Sequence, residues 1–97
     1  MMGMSPRSRT DIAIQILEAA NGGSGTGGSR DDGSTKSEIM YKAFISHRQL
    51  EEYLVVLTES DLLRYDKEMR TFKTTEKGLT LLQAYNQIDQ ILKEQQI

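Results

Sequence analysis

Three short tetrads set most of what this chain can fold into. Ser8-Arg9-Thr10-Asp11, Thr35-Lys36-Ser37-Glu38 and Ser46-His47-Arg48-Gln49 each place a hydroxyl three residues ahead of a carboxylate or carboxamide. That is the spacing of a capping box, in which the hydroxyl accepts from the backbone N–H three residues on and the distal group reaches back to the N–H of the cap. Each box therefore predicts a helix start, and apolar residues follow each one at helical intervals. Ala13, Ile16, Leu17 and Ala20 line one face of a first helix over about residues 9–20. Asn21-Gly22 stops it, since both residues tolerate a left-handed helix end. Ile39 and Ala43 mark the inner side of a short second helix, and Leu50, Tyr53, Leu54 and Leu57 carry a third to about residue 60. Two helices joined by roughly three residues, the second opening at a fresh cap, have the layout of a helix-turn-helix.

The period then changes. Leu63 and Tyr65 alternate with Arg64 and Asp66, and Phe72 stands between Thr71 and Lys73, which is the pattern of short half-buried strands. The polar run Asp66-Lys67-Glu68-Met69-Arg70 between them has hairpin length, so residues 62–75 read as a β-hairpin. Thr75 caps a last helix with Glu76 in its first turn, where a negative charge suits the macrodipole. Leu79 and Leu82 face the core, whereas Leu81, Tyr85, Ile88 and Leu92 recur at heptad spacing and continue to about residue 93 or 94. A stripe that outruns its own domain predicts homodimerisation through this helix.

Composition removes most enzymatic readings. The 97 residues contain no cysteine and one histidine, His47, so neither a thiolate metal site nor a multi-histidine site can form. Asp31-Asp32 is a carboxylate pair with nothing around it to shift a pKa, and no nucleophile–base motif is present. Neither a catalytic residue nor a metal ligand is assigned. No stretch is apolar for long enough to cross a bilayer and the N-terminus lacks a secretory apolar run, so the expected location is cytoplasmic.

Residues 23–28 match G-x-G-x-x-G, the phosphate fingerprint of dinucleotide-binding domains. The fingerprint needs a strand before it and a helix opening from its last glycine, yet here a helix precedes it and the next begins only after Thr35. Gly33-Ser34-Thr35-Lys36 likewise reverses the order a P-loop requires. No nucleotide cofactor is expected. Residues 22–34 carry no aliphatic or aromatic side chain and read as a mobile spacer.

Helix, helix, turn, helix, hairpin, helix is the order of a winged helix-turn-helix domain, mainly α with a small β-hairpin. The residues also resemble a family of archaeal winged-helix proteins described as predicted transcriptional regulators, some with a C-terminal helix that pairs into a coiled coil. The resemblance lies in Tyr41-Lys42-Ala43, Ser46, Leu50, Tyr53-Leu54 and Leu57, then in Leu62-Leu63, Thr75-Glu76-Lys77-Gly78 and Tyr85. It spans about residues 9–86. Two departures stand out: residues 22–34 look like an insertion, and Asp61 occupies a position where the family commonly has Gly. On this reading residues 1–8 are a flexible N-terminus, 9–86 the winged domain, and 75–97 a helix that also serves dimerisation.

Such a layout puts the helix over residues 46–60 in the DNA major groove with its first residues at base edges. Ser46, His47, Arg48 and Gln49 are then the candidate readers, Arg bonding guanine and Gln adenine in bidentate fashion, while Glu52 can accept from cytosine. The hairpin carries Arg64, Lys67, Arg70 and Lys73 against Asp66 and Glu68, a net positive wing suited to phosphates or the minor groove. Lys36 and Ser37 can add a phosphate contact, and Arg7 with Arg9 a basic arm. Against this, the chain's net charge is −2 and Glu51, Glu52 and Glu59 make the third helix acidic further along. The alternative is a winged helix that binds another protein and no DNA.

Overall fold

The computed structural model describes residues 8–21 and 33–94, with no statement possible for the side chains of 93 and 94. Its elements are α1 (Arg9–Ala20), α2 (Lys36–Ala43), α3 (His47–Glu59), β1 (Leu63–Asp66), β2 (Thr71–Thr74) and α4 (Glu76–Glu94). This is the expected winged helix-turn-helix: four helices and one antiparallel hairpin.

All three capping boxes form. Ser8, Thr35 and Ser46 accept from the backbone N–H of Asp11, Glu38 and Gln49, and each of those side chains returns to the N–H of its cap. Thr75 caps α4 by accepting from Gly78 N–H at 3.0 Å. Helix α1 ends differently from its expected stop, because Asn21 stays right-handed at φ −72° and its N–H turns back onto the last-turn carbonyls. The buried face of α1 is also wider than the predicted stripe. Ile12, Ile14 and Ala19 are buried beside Ile16, Leu17 and Ala20, since α1 packs against α2, β2 and α4 at once. Ile16, Leu17, Ile39 and Leu50 are the fully buried centre, where each such side chain contributes about 1.5–3 kcal/mol.

The hairpin pairs Leu63 with Thr74, Arg64 with Lys73, Tyr65 with Phe72 and Asp66 with Thr71. Tyr65, expected in the core, is instead 44% exposed. It lies outboard of the core and rests on Phe72, with ring centroids 4.7 Å apart. Leu63 and Phe72 are the hairpin's buried apolar residues.

The expected mobile spacer is corrected at its C-terminal end; residues 22–32 lie outside the described residues. Ser34 exchanges both backbone hydrogen bonds with Phe72, at 2.9 and 2.8 Å, and so adds a third rung to the hairpin. Its hydroxyl donates to the Ala19 carbonyl, and the hydroxyl of Thr74 donates to that of Leu17, which stitches the hairpin to the end of α1. Gly33 makes the approach possible: at φ +83° a Cβ would stand 2.4 Å from the Phe72 carbonyl oxygen. Periodicity cannot show this, because the fixing groups are a backbone strand edge and a hydroxyl rather than an apolar side chain.

Between α3 and β1 the chain turns at Asp61, which takes the left-handed conformation (φ 65°) that its place in the sequence required. The turn is held by Thr75, whose hydroxyl donates to the Asp61 carbonyl at 2.7 Å, and by Lys77, whose Nζ donates to the Ser60 carbonyl.

Candidate nucleic-acid interface

The start of α3 is built by its cap, and the cap decides which side chains remain available. Gln49 Oε1 accepts from Ser46 N–H at 3.2 Å, and Ser46 Oγ accepts from Gln49 N–H at 3.2 Å. Both predicted readers are thus committed to holding the helix end. Arg48 is exposed beside them, as are Glu52, Val55 and Glu59, the face that points away from Leu50 and Leu57.

Lys36 and His47 do not stand free either. Lys36 Nζ meets Glu51 Oε2 at 2.6 Å, and His47 Nε2 lies 3.2 Å from the same oxygen. Glu51 therefore bridges the first turn of α2 to the first turn of α3. The Lys36 hydrogen bond holds its carboxyl below the usual range, with the charges of Lys36 and His47 adding to the effect against desolvation. Ser37 is exposed on the first turn of α2. Sequence reasoning gave Glu51 no place in the site, although its i, i+4 spacing from His47 signals the contact.

On the hairpin the cations are left open. Arg64 and Lys73 face each other directly across the two strands, and both are exposed. They line one small cavity of about 260 Å³ with Thr74, Thr75, Glu76 and Leu79. Lys67 and Arg70 lie in the connecting turn, where Asp66 Oδ1 accepts from the N–H groups of Glu68 and Met69. Arg70 adopts φ 57°, and Met69 is 52% exposed at the tip. Among the described residues, Arg48, Arg64, Lys67, Arg70 and Lys73 form no ion pair. Arg9 is the first residue of α1 rather than part of an arm, and Arg7 lies outside the described residues.

A capped helix-turn-helix followed by an unpaired basic hairpin matches the model of the winged helix-turn-helix family over residues 6–93. The chain belongs to that family. Winged helix-turn-helix domains are typically non-enzymatic DNA-binding domains. No curated protein matches the chain. Among the described residues no group of three or more His, Asp or Glu side chains could hold a metal ion, and no helix is long and apolar enough to cross a membrane.

On α4 of this winged helix the predicted heptad residues divide. Leu81, Ile88 and Leu92 are exposed, at 40%, 57% and 65%. Tyr85 is engaged inside the chain, its hydroxyl donating to Asp11 Oδ1 at 3.0 Å, and that bond raises its pKa above the ordinary tyrosine value. Ile91, 54% exposed, completes the open stripe that Tyr85 leaves. With Ala84, a stripe through residues 81, 84, 88 and 91 keeps heptad spacing.

Proposed function

We propose that this winged helix is a sequence-specific double-stranded-DNA-binding transcriptional regulator that works as a homodimer, in the cytoplasm of an archaeal cell. The observation that carries the reading is the set of exposed cations on the wing and at the start of α3 that no carboxylate neutralises. Protein surfaces ordinarily intersperse their charges, and like charges set directly opposite on two strands, as Arg64 and Lys73 are, cost stability unless an anion lies between them.

In this reading α3 enters the major groove. Arg48 bonds a guanine edge, Glu52 accepts from a cytosine amine, and Val55 meets a thymine methyl. The wing cations Arg64, Lys67, Arg70 and Lys73 hold phosphates, with Ser37 adding a contact at α2. The stripe of Leu81, Ala84, Ile88 and Ile91 pairs with its copy, which sets two recognition helices for two half-sites. The resemblance to predicted archaeal regulators with a pairing C-terminal helix supports this arrangement.

Fluorescence anisotropy of the full chain against genomic DNA fragments at several salt concentrations tests the function. A binding constant that falls as salt rises is expected, because phosphate contacts release counterions. An absence of binding even at low salt would overturn the reading in favour of a protein-interaction module, which the acidic residues Glu52 and Glu59 of α3 would suit. Sedimentation tests the dimer: a doubled mass is expected for the chain and a single one for an Ile88→Glu, Ile91→Glu variant. A monomer in both would refute pairing through α4.

A further inference from the structure

A groove of about 940 Å³ runs between α1, the end of α2 and α4, on a part of the molecule that the DNA reading does not use. None of the candidate DNA-contact residues lines it. Its floor is apolar, from Ala19, Leu79 and Leu82. Its walls carry four carboxamides, Gln15 and Asn21 from the α1 side and Gln83 and Asn86 from α4. Each carboxamide offers donors and an acceptor, the complement that matches a peptide group. Residues 79, 82, 83 and 86 also lie on the side of α4 opposite the stripe through 81, 84, 88 and 91, at about 100° per residue. Pairing through that stripe leaves the groove open.

The rim residue Phe44 is the second observation. It caps α2 in the left-handed conformation, φ 55° and ψ 51°, and it is 79% exposed. A bulky side chain at positive φ is costly, and glycine is the usual occupant of such a helix end. Here the cost is borne by an aromatic ring set at the mouth of a groove, where it gains little burial. Backbone strain retained without a packing return is the mark of a contact surface.

We infer that this groove binds an extended polypeptide segment of a partner protein, seating an apolar side chain on the floor under the Phe44 ring and pairing its backbone with the carboxamides. Nucleic acid does not suit it, since its charged lining residues are one cation, Lys42, and one anion, Glu18. The inference does not depend on the DNA reading, and the two surfaces can be occupied together.

Selection of a phage-displayed random dodecapeptide library on the full chain, followed by titration with an enriched synthetic peptide, tests it. The expected result is a peptide family sharing an apolar residue, whose affinity drops at least about tenfold in Gln83→Ala, Asn86→Ala and in Phe44→Gly. The thermal midpoint of Phe44→Gly should be unchanged or raised, which separates a lost contact from a lost fold. Failure to enrich any peptide would overturn the inference. So would a peptide whose affinity stays within about twofold in both variants, or one that DNA displaces.

Discussion

Arg64 and Lys73 stand opposite each other in the wing's antiparallel register, two exposed cations with no carboxylate between them. Their separation from any counter-charge makes function and stability respond in opposite directions. Arg64→Gln or Lys73→Gln removes a like-charge pair, so the folded state should gain a few tenths of a kcal/mol. The same change removes one phosphate contact, so affinity should fall similarly for every DNA sequence. The slope of log affinity against log salt should become shallower by about 0.9. Urea denaturation and anisotropy at graded salt measure the two effects on one protein.

The cap of α3 separates two neighbours that the sequence reading grouped together. Gln49 closes the box with Ser46, whereas Arg48 is exposed. Gln49→Ala should cost about 0.5–1 kcal/mol of stability and leave the preferred DNA sequence unaltered. Arg48→Ala should do the reverse, with little change in stability and a loss of about 1–3 kcal/mol confined to one base position. Binding-site selection from random DNA, run beside denaturation, distinguishes them. A changed site preference for Gln49→Ala would return it to the set of base readers.

Lys36 offers a test by release. Its ammonium is held by Glu51, the carboxylate that also meets His47. Glu51→Gln should free Lys36 and His47 toward phosphate and raise DNA affinity several-fold while steepening its salt dependence. The pH sign follows from the lowered pKa of Glu51. A depressed carboxylate contributes stability above its ordinary value of 4.5 and loses that contribution as pH falls through the depressed value. Acid titration of the chain against Glu51→Gln, followed by circular dichroism, should show the difference between them shrinking below pH 4.5.

These three cases mark how far the sequence can be read. Helix starts were legible because Ser8, Thr35 and Ser46 act on backbone groups three residues away, a strictly local interaction. The hairpin was legible from its period and its polar turn. The partners of Lys36 and Gln49 were not, since availability depends on which of several neighbours within reach forms the bond. The α1 face was read too narrowly because three elements press on it, and one amphipathic stripe assumes a single packing partner. Phe44 at the left-handed end of α2 gave no signal, as residue statistics place glycine there.

Gly33 and Ser34 turn the end of a composition-poor segment into part of the wing. Gly33→Ala would place a Cβ 2.4 Å from the Phe72 carbonyl oxygen at a φ of +83°. The substitution should destabilise the domain by about 2 kcal/mol or more, because strain and clash act at one residue. Ser34→Ala loses the buried bond to Ala19, at a cost of about 1 kcal/mol, with the backbone rungs to Phe72 retained. Thermal melts that rank Gly33→Ala well below Ser34→Ala would agree with this account. Equal melting points for the two variants and the parent chain would contradict it.

Tyr85 joins the far ends of the domain. Its hydroxyl donates to Asp11, a residue that also closes the cap of α1, so α4 is fastened where the first helix begins. Tyr85→Phe keeps the ring and removes the donor, and should cost about 1 kcal/mol, discounted because the pair is only part-buried. The hydrogen bond to Asp11 raises the tyrosine pKa from 10.0, ahead of desolvation and the nearby carboxylates. A raised pKa means the bond's contribution is complete below pH 10.0 and is lost as pH climbs through the folded-state value. Stability curves of the parent chain and Tyr85→Phe should therefore run parallel near neutrality and converge in alkali. If α4 pairs through Leu81, Ile88 and Ile91, the variant should also sediment as the parent does, since its missing hydroxyl faces α1. A shift to monomer in Tyr85→Phe would instead return Tyr85 to the pairing seam.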